Sequence, residues 1–260
     1  MPNIFGVPVD GAYYVVTTLA GALTPLTGGL AVTIAIVAFT VAVRLVLLPL
    51  SYRALRGQVA QSRLAPRVQV LRQRHGKDPE RLTREVKALY RANGTSMFAG
   101  YLPLLLQWPF LTVMYLLFRS AIINGAPNTL LRHHLLGAEL GAHWLSGAGP
   151  LSLQGAVWAA LFALLVLVGY LSLRVSRRLF PPPPASAPVS TPGSPAAVPP
   201  WLTGLLPLLT AGFAAFLPLA GGLYLLTTTT WTLLERWFLG RYVAAGPPAA
   251  DRLTPREAAP

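Results

Sequence analysis

Apolar residues in this chain run long enough that only lipid can accept them all. A helix crossing a bilayer needs about 20 consecutive, mostly apolar residues. Five stretches qualify, at about 30–50, 98–118, 153–173, 201–220 and 221–239. The last two are contiguous, so a turn at Pro218, Gly221 and Gly222 is expected to divide them. Hydrophobic residues make up 53% of the chain and charged residues 11%. An average soluble domain has about 25% charged residues. The expected fold class is all-α: an integral membrane five-helix bundle with a cytoplasmic helical hairpin.

Charge sets the expected orientation. Between the first two spans lie eleven basic residues, from Arg53 to Arg91, against three acidic ones. Arg174, Arg177 and Arg178 follow the third span, and Arg241 follows the fifth. The segment before the first span has Asp10 and no basic residue. Positive charge therefore alternates between sides, and the basic side is the cytoplasm. The chain is expected in the cell membrane, multi-pass, N-terminus out and C-terminus in.

The expected division follows from this reading. Residues 1–27 form an extracytoplasmic segment with a short interfacial helix over 13–23. Spans occupy 28–50, 98–120, 153–173, 201–220 and 221–240. Residues 51–97 form the cytoplasmic hairpin and 121–152 an extracytoplasmic loop. Residues 174–200 form a cytoplasmic loop whose 181–200 portion holds nine prolines, and 241–260 a cytoplasmic tail. No Lys or Arg precedes Arg44, so the first span is expected to serve as its own uncleaved targeting signal.

The hairpin has local signals of its own. Leu55, Val59, Leu64, Val68 and Leu71 recur near helical spacing, as do Leu82, Val86 and Leu89. The turn is Gly76-Lys77-Asp78-Pro79: Gly ends one helix, Asp caps the next, and Pro takes its first position. Pro66 is expected to kink the first arm. The hairpin reads either as a solvated element securing topology or as a docking arm for a cytoplasmic partner.

Few residues carry chemistry. The chain has no cysteine, which excludes a thiolate nucleophile and Cys-ligated metals. His133 and His134 are adjacent, with no carboxylate close, and read as surface histidines. Ser146-Gly147 lacks the flanks of a nucleophile elbow. Both lysines, Lys77 and Lys87, fall in the hairpin, so no Ser-Lys dyad forms within the membrane. The residues suggest no enzyme, no cofactor and no metal.

Arg44 stands out, because it is the one charge inside the first span. Such a residue costs roughly 2.5 kcal/mol or more and is a functional candidate by default. Snorkelling is the alternative, since Arg44 is about 9 Å of rise from the end of the run. Thr40 lies one turn earlier on the same face. Gln107 adds a polar group to the second span, between Pro103 and Pro109; Tyr224 and the run Thr227 to Thr230, with Thr228, add others to the fifth. If these faces converge, they enclose a polar, cytoplasm-open cavity. Each Thr has the alternative of bonding its own helix carbonyl, and Gln107 that of bonding a neighbouring helix.

In order and spacing these residues resemble the YidC/Oxa/Alb membrane protein insertases. The resemblance rests on Arg44 followed by Pro49-Leu50, with Thr40 one turn before, and on the hairpin segments Gln61 to Gln69 and Glu85 to Tyr90. It rests also on Gly100-Tyr101-Leu102-Pro103-Leu104-Leu105-Leu106-Gln107-Trp108-Pro109-Phe110, and on Leu217-Pro218 followed by Gly221-Gly222-Leu223-Tyr224. It covers roughly 30–240. Departures include Thr95-Ser96-Met97-Phe98 where the family has Asn-Pro, Thr228-Thr229 for a frequent Ser-Asn pair, and Glu235-Arg236 for a Gln-Gln pair. They suggest a divergent paralogue.

The resemblance implies an insertase and membrane-protein chaperone. Its substrate groove would include Arg44, Thr40, Gln107, Tyr224 and Thr228. Implied partners are nascent membrane proteins and membrane lipids, with the ribosome and the Sec translocon as candidates, and no specific DNA. A small-solute transporter or channel is the alternative; it needs a pathway open to both sides. An intramembrane hydrolase is disfavoured by the lack of a paired nucleophile and base.

Overall fold

The structure, a computed structural model, describes residues 6–96, 102–123, 125–144, 152–179 and 200–245. Residue 97 of the expected hairpin, the head of the second expected span at 98–101, Ser146-Gly147, the proline-rich 180–199 and the tail from 246 lie outside the described residues.

The described chain is overwhelmingly helical. Its helices are α1 (Gly6–Thr27), α2 (Ala31–Val46), α3 (Leu48–His75), α4 (Pro79–Ala92), α5 (Leu102–Arg119), α6 (Leu153–Leu179), α7 (Pro200–Ala214) and α8 (Leu219–Ala245). Between α5 and α6 lie two small antiparallel ribbons. One pairs β1 (Ile122–Ile123) with β2 (Ala126–Pro127), the other β3 (His134–Leu135) with β4 (Ala138–Glu139). By length and hydropathy, the stretches Gly6–Val46 and Gln154–Leu179 are each apolar enough to cross a membrane.

Two compact units emerge. The first comprises Met1–Leu48, Leu105–Leu173 and Pro200–Leu234. Its helix α1 has 22 residues, far more than the short interfacial helix expected at 13–23. Gly11 and Pro25 flank that expected helix, yet both stay helical. Pro25 sits in the last turn of α1. The break comes at Gly28, which takes φ +54° and starts a single 3-10 turn before α2. Helix α1 packs against α2. Its buried stripe is Val9, Ala12, Val16 and Ala20, one face at helical spacing. Small residues on both helices, Ala12, Ala20, Ala31 and Ala35, let such backbones approach.

The core of this unit gathers Ile36, Met114, Leu117, Phe118, Trp158, Leu165, Leu219 and Leu225. The loop after α5 belongs to it: Ile123, Leu130, Ala138 and Leu140 are buried in the same cluster. Asn128 ties the loop to α5. Its side-chain amide donates to the carbonyls of Leu117 (2.8 Å) and Ser120 (3.0 Å). Leu117 is in the last turn of α5, where carbonyls lack a partner within the helix, and Ser120 follows that turn directly. A second tie holds the start of α8. The amides of Leu219 and Ala220 donate to the carbonyls of Ala142 (3.0 Å) and Leu140 (2.9 Å). Orphan donors of a buried helix start are thus satisfied by the loop.

The second unit comprises Pro49–Leu104, Arg174–Pro199 and Glu235–Pro260. Helix α3 runs through Pro66 without interruption. Asp78 caps α4 by accepting a hydrogen bond from the Arg81 amide at 2.9 Å, with Pro79 in the first helical position. Helix α4 is strongly amphipathic, with Val86 its buried residue. At the other end of the hairpin, Gln61 donates to the Ser96 carbonyl at 2.8 Å. Leu55 and Val59 of α3 pack with Val243 and Leu239 of α8.

Candidate functional site

The expected groove residues all fall in the first unit. Thr40 is fully buried, and its hydroxyl donates to the Ile36 carbonyl of its own helix at 2.7 Å. That bond satisfies the hydroxyl locally, as Thr side chains in helices commonly do. Arg44 sits one turn later, in the last turn of α2, and is half-buried. A cation there faces the carbonyl end of the helix, where the peptide dipoles favour it.

Tyr224 and Thr228 lie one turn apart on α8, exposed by only 3% and 2%. The Tyr224 hydroxyl interacts with the Thr228 side chain, and the Arg44 guanidinium is near enough to act on it electrostatically. So α2 and α8 bring Arg44, Tyr224 and Thr228 into one neighbourhood. Around it, Thr227 and Thr229 bond the carbonyls of Leu223 and Leu225 in their own helix. Gln107 lies on α5, but its side chain falls outside the described ones. The cluster combines buried hydroxyl groups with one positive charge.

The second unit holds a polar cleft that the sequence reading missed. Its cavity volume is about 470 Å³, and Gln58, Gln61, Ser62, Tyr90 and Arg236 line it. Gln58, Gln61 and Ser62 share one face of α3, at i, i+3, i+4. Tyr90 comes from α4 and Arg236 from α8. The Arg236 guanidinium donates to the Ser176 hydroxyl at 2.5 Å, which fixes its direction. Burial pushes the Tyr90 phenol above its ordinary value, and the nearby Arg72 guanidinium partly opposes this. The available signal was Glu235-Arg236, where the resembled family carries two glutamines.

The chain is similar to known proteins over most of its length. A family model described as 60Kd inner membrane protein matches residues 22–245. The membrane protein insertase YidC of Acidiphilium cryptum (strain JF-5) is 30% identical over 223 residues, covering 85% of this chain and 35% of that protein. The YidC of Cupriavidus metallidurans is 27% identical over 216 residues, covering 83% and 33%. That of Clostridium tetani is 34% identical over 87 residues, covering 34% and 40%. The chain thus spans about a third of the length of the first two relatives. An apolar helical chain matched across 22–245 is a membrane protein, and it belongs to the 60Kd inner membrane protein family, that of the YidC/Oxa/Alb insertases.

Proposed function

We propose that this chain inserts nascent membrane proteins into the bilayer and chaperones them there. One arrangement supports the mechanism: Arg44 of α2 lies near the buried Tyr224 and Thr228 of α8, and Thr40 is buried one turn before it. In this reading the polar cluster opens to the cytoplasm. The acidic or polar part of a client rests near Arg44, Thr40, Tyr224 and Thr228, with Gln107 completing the groove. The client's apolar segment meets the exposed apolar faces of α5 and α7, which carry Trp108, Leu208, Leu209 and Phe213.

Energetics supports this without a nucleotide. A polar niche lowers the cost of holding hydrophilic residues partway across. Burial of the client's apolar span in lipid is favourable by several kcal/mol on the insertion scale. The chain is read with five spans, N-terminus out and C-terminus in. The ribosome and the Sec translocon are its candidate suppliers of clients, and the basic hairpin α3–α4 fits an anionic surface.

The loop after α5 favours insertase over channel. A channel needs a pathway open to both sides. Ile123, Leu130, Ala138 and Leu140 instead join the apolar core, and the loop backbone bonds the start of α8. Reconstituted proteoliposomes test the reading. The full chain is expected to insert clients with acidic translocated segments, and Arg44→Ala to lower the yield severalfold. Unchanged yield for several such clients removes Arg44 from the mechanism. Failure of the wild-type chain to insert any client overturns the function.

A further inference from the structure

The cleft of the second unit has no part in the reading above, and its chemistry is specific. Its lining side chains carry hydroxyl, amide and guanidinium groups, with the Glu235 carboxylate acting on Arg236 from outside the lining. Such a set suits an anion with several acceptor oxygens. On the same helix α3, Leu55 and Val59 pack with Val243 and Leu239 of α8. Next to Arg236 on α8, Trp237 and Phe238 are exposed, and Trp237 stacks under the Arg241 guanidinium at 4.0 Å. Exposed aromatics beside arginines mark the headgroup layer of a membrane protein. Basic pockets between helices at that depth are suited to lipid headgroups.

We propose that the cleft lined by Gln58, Gln61, Ser62, Tyr90 and Arg236 binds the phosphate of an anionic phospholipid headgroup. Arg236, aimed by Ser176, supplies the charge. The Tyr90 phenol supplies a neutral donor from α4. A bound lipid would then join the hairpin to the end of α8, coupling hairpin position to the surrounding bilayer.

The test uses the full chain purified in detergent, titrated with dioctanoyl phosphatidylglycerol and read by thermal unfolding. Saturable stabilisation is expected in the wild type. Arg236→Gln should weaken the apparent affinity at least about tenfold, as loss of a charged hydrogen-bonding partner does. Tyr90→Phe should weaken it about threefold, and serves if Arg236→Gln does not fold. Arg241→Gln, outside the cleft, should change nothing. Equal affinity in wild type and both cleft variants overturns the proposal. So does inorganic phosphate that matches the lipid in Arg236-dependent stabilisation, which would make the ligand a free anion. An acidic peptide that binds where the lipid does not would also overturn it.

Discussion

Gly169 of α6 lies directly against Pro207 of α7. A β-carbon on residue 169 would stand 2.7 Å from the Pro207 Cβ and 3.2 Å from its Cα. The proline ring has no rotamer to escape into. Gly169→Ala is therefore expected to lower stability by about 1–3 kcal/mol, the usual range for overpacking. Gly212→Ala is the control, since nothing lies within 4 Å of its β-carbon position; it should stay within about 0.5 kcal/mol. Thermal unfolding in detergent compares them. Equal midpoints would show that α6 and α7 do not meet at this point.

Asn128 bonds two carbonyls at the end of α5 and accepts from the Leu130 amide at 3.2 Å, while only 4% exposed. Asn128→Ala leaves these groups buried without partners, at a cost of about 2–3 kcal/mol. Asn128→Asp should be no better, because a carboxylate cannot donate to carbonyls. Limited proteolysis of the 121–144 loop reads the effect. A loop as protected in Asn128→Ala as in the wild type would show that this residue does not hold it.

At the hairpin turn, the Asp78 carboxylate accepts from the Arg81 amide. Asp78→Ala should cost about 0.5–2 kcal/mol, and Asp78→Asn much less. Hydrogen exchange in the first turn of α4 is the measurement. Equal exchange in all three proteins would mean that the cap contributes nothing.

The Tyr90 phenol titrates above the ordinary tyrosine value of 10.0 because it is half-buried, with Arg72 opposing. A folded-state value raised above the unfolded one gives stability that is intact below about pH 10. That stability falls as pH rises through the folded value. Phenolate absorbance should lose a late-titrating group in Tyr90→Phe. Hairpin stability should also decline less steeply above pH 10 in that variant. An identical absorbance titration in the two proteins would refute the assignment.

Local patterns were legible wherever the controlling residues lie within a turn or two of each other. Asp78 and Pro79 announce the start of α4 three residues from the bond that proves it. Thr40 and Arg44 share a face because of the helical period alone. Back-bonding of Thr40 was one of two readings, and the second, a hydroxyl facing a cavity, depends on neighbours no window contains. The length of α1 was missed because Gly11 and Pro25 look like breaks. Packing against α2 overrides their propensity, as tertiary contact commonly does.

The β ribbons of the 121–144 loop were invisible for a related reason. Each strand has two residues, too few for an alternating pattern. What holds them is long-range: Asn128 on the end of α5, and the carbonyls of Leu140 and Ala142 on the start of α8. The cleft around Arg236 draws on three helices and a bond to Ser176, sixty positions away.

By itself the chain's order of residues determined the solvent, the helical class and the candidate residues on each face. Those follow from sums over neighbours: transfer of apolar runs into lipid, and a period of about 3.6 residues. Tertiary structure alone decided which faces meet. It brought Arg44 within reach of Tyr224, set Gly169 on Pro207, and made a loop part of the core. Such pairings depend on the fit of surfaces far apart along the chain, where a single methyl group decides whether two helices can touch.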